Sequence, residues 1–186
     1  MIEPGQTLVN AVTGEQLTFL RTAAQTDGEY VLVEAVVAPN GAVASAHVHP
    51  KQEERFEIVS GELGLRRGRE RLVATAGDVV VVEAGTAHKF WNAGDEEVRF
   101  RCEIRPALQF EALIETMFGL ATDGKTNRKG LPNPLRMAVI AKAYRDVIRL
   151  PFPPPWMQDA GLLFGVPLGR MLGYRPTHQA AAGATA

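Results

Sequence analysis

An antiparallel all-β fold carrying a C-terminal α-helical extension is what the sequence predicts, on three observations. Apolar residues alternate at period two from about residue 15 to about residue 105, turn residues interrupt that stretch every several positions, and after Pro106 the period lengthens to that of a helix. Many short strands with no helix between them imply an antiparallel sandwich or barrel.

Taken in order, "EYVLVEAVVAP" (29–39) is a strand stopped by Pro39-Asn40-Gly41, and "ELGLRRGRERLVAT" (62–75) is a hairpin turning at Gly68. "VVVVEAG" (79–85) and "HKFWN" (88–92) are strands joined by a Gly85-Thr86 turn. "VRFRCEIR" (98–105) alternates cleanly, with Val98, Phe100, Cys102 and Ile104 on one face and Arg99, Arg101, Glu103 and Arg105 on the other. Phe110, Leu113, Met117 and Leu120 then recur at helical spacing, with Pro106 suited to the first turn. Asn133-Pro134 is the cap and first residue of a second helix, whose stripe is Met137, Ile140, Ala141, Tyr144 and Ile148 and which stops at Pro151. A third helical stretch, about 156–173, follows the stiff "PFPPPW" and is expected to bend or break at Gly165 and Pro167. The organisation expected is a β unit over 1–105, a helical extension over 106–175 and a disordered tail over 176–186.

The composition excludes several classes of partner. A net charge of −1 gives no general attraction to nucleic acid or to an anionic membrane, and the basic cluster "RRGRER" (66–71), broken by Glu70, reads as a solvated hairpin tip. Cys102 is the single cysteine, so no intrachain disulfide forms, and Glu3 and Pro4 stand where a secretory signal needs basic and then apolar residues; a cytoplasmic protein is expected. The third helical stretch is rich in leucine but too short to cross a bilayer, which takes about 20 apolar residues. Its apolar side chains need a cover, either the β unit, a second subunit or a membrane surface.

Two of the four histidines fall in "HVHPKQEERFEIVSG" (47–61). In a strand, His47 and His49 point the same way, within reach of one ion. Glu54 shares a face with Phe56 and Ile58, and His88 shares one with Phe90 and Asn92. A lone histidine is most often a core or surface residue, but two at strand period with a carboxylate behind them suit a divalent transition metal. By spacing alone both readings stand, and Glu53 competes with Glu54 for the carboxylate position.

That spacing resembles the cupins. Their first motif is matched by Gly41, His47, His49, Glu54 and Gly61, and their second by Gly77, Gly85, His88 and Asn92, with Glu83 where the family has proline. Nine of ten defining positions agree, across residues 41–92, and the helical third of the chain lies outside the match. The resemblance implies a double-stranded β-helix, or jelly-roll barrel, and a mononuclear metal held by His47, His49, Glu54 and His88. Glu54 is preferred over Glu53 because six residues then separate it from Gly61. Iron, manganese, nickel, copper, cobalt and zinc all suit three imidazoles and a carboxylate. Glu83 is either a solvent-facing turn residue or an acid near the mouth of the site, and His178 receives no role.

Phe56, Ile58, Val81 and Phe90 are expected to point inward around the ligands, with Trp91 or Phe100 at an edge, forming a pocket for a small, partly apolar molecule with an oxygen donor. Phe56, Ile58 and Phe90 are the candidate substrate residues, and Glu54 and His88 the candidate catalytic pair. Three functions compete: a dioxygenase-like oxidoreductase, a redox-neutral isomerase, epimerase or lyase, and a non-catalytic binder of a small molecule. A homodimer is expected, with the helical extension covering the barrel mouth or a partner.

Overall fold

The computed structural model describes residues 2–43 and 45–178. Its strands are β1 (Thr7–Val9), β2 (Gln16–Arg21), β3 (Val31–Val37), β4 (His47–Val48), β5 (Glu53–Ser60), β6 (Glu62–Arg67), β7 (Glu70–Thr75), β8 (Val79–Val82), β9 (Ala87–Asn92) and β10 (Val98–Arg105). Three α-helices follow: α1 (Phe110–Thr122), α2 (Pro134–Ala143) and α3 (Pro155–Met171).

The strands form two antiparallel sheets, one in the order β1-β2-β3-β10-β5-β8 and the other β4-β9-β6-β7. The barrel expectation needs correction here. Among the described residues no ladder joins an edge of one sheet to an edge of the other, so the strands do not close by hydrogen bonding. What unites the sheets is a shared core: Phe56 and Phe100 from the larger pack in one cluster with Leu63, Leu65 and Phe90 from the smaller. Strict alternation explains why. Along β10, Val98, Phe100, Cys102 and Ile104 are buried while the charged residues between them are not, and β3 opposite repeats the pattern with Val31, Val33, Ala35 and Val37. The register Cys102↔Phe56 and Ile104↔Glu54 carries the inward row on to β5.

β8 corrects one inward assignment. Val80 and Val82 are the buried valines, and Val81 instead pairs with the outward Arg55. A run of four valines has no alternation, so its phase came only from the pairing partner. Trp91 lies outside the inward row as well: it stands beside Gly64, where a Cβ would collide with its ring, and Arg71 stacks on it at 4.7 Å.

In the extension, α1 begins at Phe110, four residues after Pro106, so the proline precedes the helix instead of occupying its first turn. Asn133 caps α2 by accepting a hydrogen bond from the Arg136 amide at 3.0 Å, with Pro134 in the first turn. α2 ends at Ala143 rather than near Pro151, and residues 145–149 run on as a turn and an extended segment. α3 continues unbroken through Pro167. α2 and α3 pack closely because Gly169 lets the Leu135 carbonyl approach to where a Cβ would stand 2.7 Å from it. The opposite side of α3 is open: Trp156, Leu163, Phe164 and Met171 are each more than two-thirds exposed. Among the described residues no helix is long and apolar enough to cross a membrane. Of the expected tail, residues 179–186 lie outside the described residues, whereas His178 docks on α1, its amide donating to Thr116 Oγ1 and its ring 2.8 Å from Asp123.

Candidate metal centre

Four side chains converge where the two sheets meet. β4 and β9 pair antiparallel with His47 opposite His88, which sets those two rings face to edge with centroids 4.3 Å apart. His49 leaves the strand one pleat later with its ring 5.0 Å from that of His47. From the other sheet β5 contributes Glu54, which parity turns inward with Phe56, while Glu53 is exposed. One ligand atom from each of His47, His49, Glu54 and His88 lies within 4.8 Å of every other, and all four residues are buried.

The backbone fixes the tautomer of each ring. His47 Nδ1 lies 3.0 Å from the Ser45 carbonyl oxygen, His88 Nδ1 3.0 Å from that of Thr86, and His49 Nδ1 2.6 Å from that of Val147. A carbonyl only accepts, so each Nδ1 carries the proton and each Nε2 presents a lone pair. His49 Nε2 is 3.4 Å from Glu54 Oε1 and His88 Nε2 is 2.7 Å from Glu54 Oε2. Despite that proximity the latter pair does not meet the geometry of a hydrogen bond, and both atoms are buried without a partner. Buried polar atoms are rarely orphaned, and three imidazole lone pairs around a carboxylate are the donor set of a divalent transition metal. The residues fit such an ion.

The electrostatics agree. Burial pushes the Glu54 carboxyl up, but the imidazoles of His49, His88 and His47 outweigh it and bring the group down to about 2. Burial, with the neighbouring rings of His49 and His88, lowers His47 to about 3, so its lone pair is free. At His88 burial also lowers the pKa, but the Glu54 carboxylate beside it wins and the net direction is up. A proton and a cation therefore compete for the space between His88 and Glu54.

The cluster opens on a cavity of about 520 Å³. Phe56, Phe90 and Phe100 line it, their rings packed against one another at centroid distances of 5.4 to 6.1 Å. Ile58 does not line it; one pleat beyond Phe56 on the same face, it is enclosed in the core, so the pocket assignment of Ile58 is corrected. Glu83 is exposed in the turn before β9 and stands outside the cavity. The helical extension supplies the rest of the wall, including Phe110, Leu113, Met137, Arg145 and Arg149.

Three contributors were absent from the sequence reading. Gln52, almost wholly buried, donates to the carbonyls of Pro106 and Ala107 at 2.9 and 3.0 Å and turns its Oε1 to His49 Nδ1 at 3.2 Å. Val147 reaches His49 across 98 residues of chain. Glu15 lines the cavity just ahead of β2. Only Glu15 left a local trace, since Glu15, Leu17 and Phe19 share one strand parity.

Residues 33–104 match the family model of the cupin domain. The chain is 28% identical over 172 residues, covering 82% of this chain and 76% of the relative, to the probable oxidoreductase virH of Hypocrea virens. Among solved structures it is similar to a predicted oxalate decarboxylase from Thermotoga maritima, at 19% identity with a TM-score of 0.49, covering 57% of this chain and 99% of that one. KdgF from Halomonas sp. is similar at 15% identity with a TM-score of 0.47, covering 53% of this chain and 84% of that one.

Proposed function

We propose that the protein is a mononuclear metal-dependent oxidoreductase, dioxygenase-like, acting on a small, partly apolar substrate with an oxygen donor. The observation that carries this reading is the convergence of three tautomer-fixed imidazoles and Glu54 at one end of an apolar cavity. The relative named as a probable oxidoreductase supports the same class. His47, His49, Glu54 and His88 are the proposed ligands, and a divalent transition metal bound there supplies Lewis-acid and redox chemistry. The Ser45, Thr86 and Val147 carbonyls hold the rings in the tautomer that leaves Nε2 free. Phe56 and Phe90 exclude water and orient the apolar part of the substrate. Glu54 and His88 are the proposed catalytic pair: His88 Nε2 would be given to the metal, and the Glu54 carboxylate 2.7 Å away would take a substrate proton on the oxygen the metal leaves free.

We further assign the β unit to residues 1–105 and the extension to 106–175, with a second copy of the chain covering the open face of α3 and the whole in the cytoplasm. Light scattering that returns a monomer of about 20.2 kDa removes the dimer. The functional reading is tested by mass-spectrometric metal analysis of freshly purified protein and by oxygen uptake after reconstitution with iron, manganese, nickel, copper, cobalt or zinc. Less than a tenth of an equivalent of every metal overturns the metal centre. Metal without oxygen uptake on any vicinal oxygen-donor substrate overturns the dioxygenase and leaves the redox-neutral enzyme or the binding protein.

A further inference from the structure

Glu15 is a carboxylic residue in a row built for hydrocarbon. It precedes β2, and its parity is that of Leu17 and Phe19, both buried against β3. It is itself 7% exposed and lines the same cavity as His47, His49 and Glu54. Among the described residues its carboxyl has no hydrogen bond and no ion pair; the polar contacts at this residue are those of its backbone, to Asn10 and to the hydroxyl of Thr13. The two arginines that line the cavity lie elsewhere, Arg145 3.6 Å and Arg149 3.9 Å from Asp159.

An isolated carboxylate in such a place is costly, so burial favours the protonated form with its O–H. Burial first, and then the negative charge of Glu54, raise it to about 7. The other titratable group bearing on it is Cys102 of β10, a buried thiol that burial pushes well up and that is likewise neutral. Glu15 thus carries a donor into a cavity whose remaining wall is largely apolar. β3 and β10 stand between its strand and β5, which holds Glu54, so the two carboxyl groups enter the cavity from different strands of the larger sheet.

We propose that Glu15 is the second recognition point of the cavity, a carboxylic acid that donates a hydrogen bond to an oxygen acceptor on the ligand other than the one held at the His47/His49/Glu54/His88 cluster. The ligand class that follows is an apolar molecule with two oxygen functions separated by hydrocarbon. This deepens the proposed function and rests on its metal centre for the first oxygen.

The test uses full-length, metal-loaded protein and two fluorescent probes, 3-hydroxyflavone, with its vicinal oxygens at one end, and its 4′-methoxy derivative, which adds an acceptor at the other. Wild-type protein should bind the methoxy probe about 10-fold more tightly than the parent. Glu15→Leu should abolish that preference and Glu15→Gln, which keeps a donor, should retain most of it. Infrared difference spectra of wild type against Glu15→Gln should show a protonated carboxyl band at neutral pH that shifts when the methoxy probe binds. Equal affinities in wild type, a preference surviving in Glu15→Leu, no protonated band, or failure of both probes to bind would each overturn the proposal. Metal content measured on the same samples separates this failure from that of the metal centre, since Glu15 substitutions should leave stoichiometry unchanged.

Discussion

Replacing Glu15 by Gln should change how stability depends on pH. In the folded chain the carboxyl titrates at about 7 against an ordinary value of 4.5, chiefly because it is buried. Below pH 4.5 it is protonated in both states and contributes no slope. Between pH 4.5 and about 7 the unfolded chain has released the proton and the folded chain has not, so raising pH favours unfolding. At about 1.4 kcal/mol per unit the displacement amounts to about 3 kcal/mol, complete above pH 7. The amide of Gln titrates in neither state, so Glu15→Gln should gain about 3 kcal/mol relative to wild type between pH 4 and pH 8. Urea unfolding of chelator-treated samples across that range measures the difference directly, and the histidines of the cluster, common to both proteins, cancel from it. A difference that stays flat, or one that grows as pH falls, would refute the assignment of a neutral buried carboxyl.

Other substitutions address the metal centre and the helical extension. His49→Ala should lose bound metal while keeping the far-ultraviolet circular dichroism of the folded chain, because the core residues of the two sheets are untouched; stoichiometric metal in that variant removes His49 from the ligand set. Glu54→Gln should weaken metal binding at least about 10-fold in a chelator competition, whereas Glu53→Gln, at an exposed position, should not. Gly169→Ala should lower stability by about 1–3 kcal/mol in thermal melts, since the added methyl meets the Leu135 carbonyl at 2.7 Å and the Val139 side chain at 2.8 Å.

Local periodicity carried much of the fold. The clean alternation of β10 gave its bounds and its buried face, and the cap at Asn133 gave the start of α2. The site was legible for the same reason: His47 and His49 are two residues apart on an extended segment, and parity with Phe56 separates Glu54 from Glu53. What was lost had no local signal. Val79 to Val82 offer no polar residue to mark a phase, so Val81 was turned the wrong way. Closure of the sheets depends on edge pairing, which periodicity does not encode. Val147 acts on His49 only through tertiary contact, Gln52 is aimed at the same ring by its bonds to the distant Pro106 and Ala107 carbonyls, and Ile58 is kept from the cavity by packing rather than by its face.

The stretch after α2 does more than join two helices. Arg149 exchanges two 2.9 Å backbone hydrogen bonds with Val48, the residue between His47 and His49, and the Val147 carbonyl caps the ring of His49. The C-terminal third of the chain is therefore hydrogen-bonded to the strand that presents the candidate ligands. Occupancy of the centre and solidity of this distant-in-sequence segment become one equilibrium. Chelation should speed amide hydrogen exchange at 147–149 together with that at 47–49, before the sheets themselves loosen.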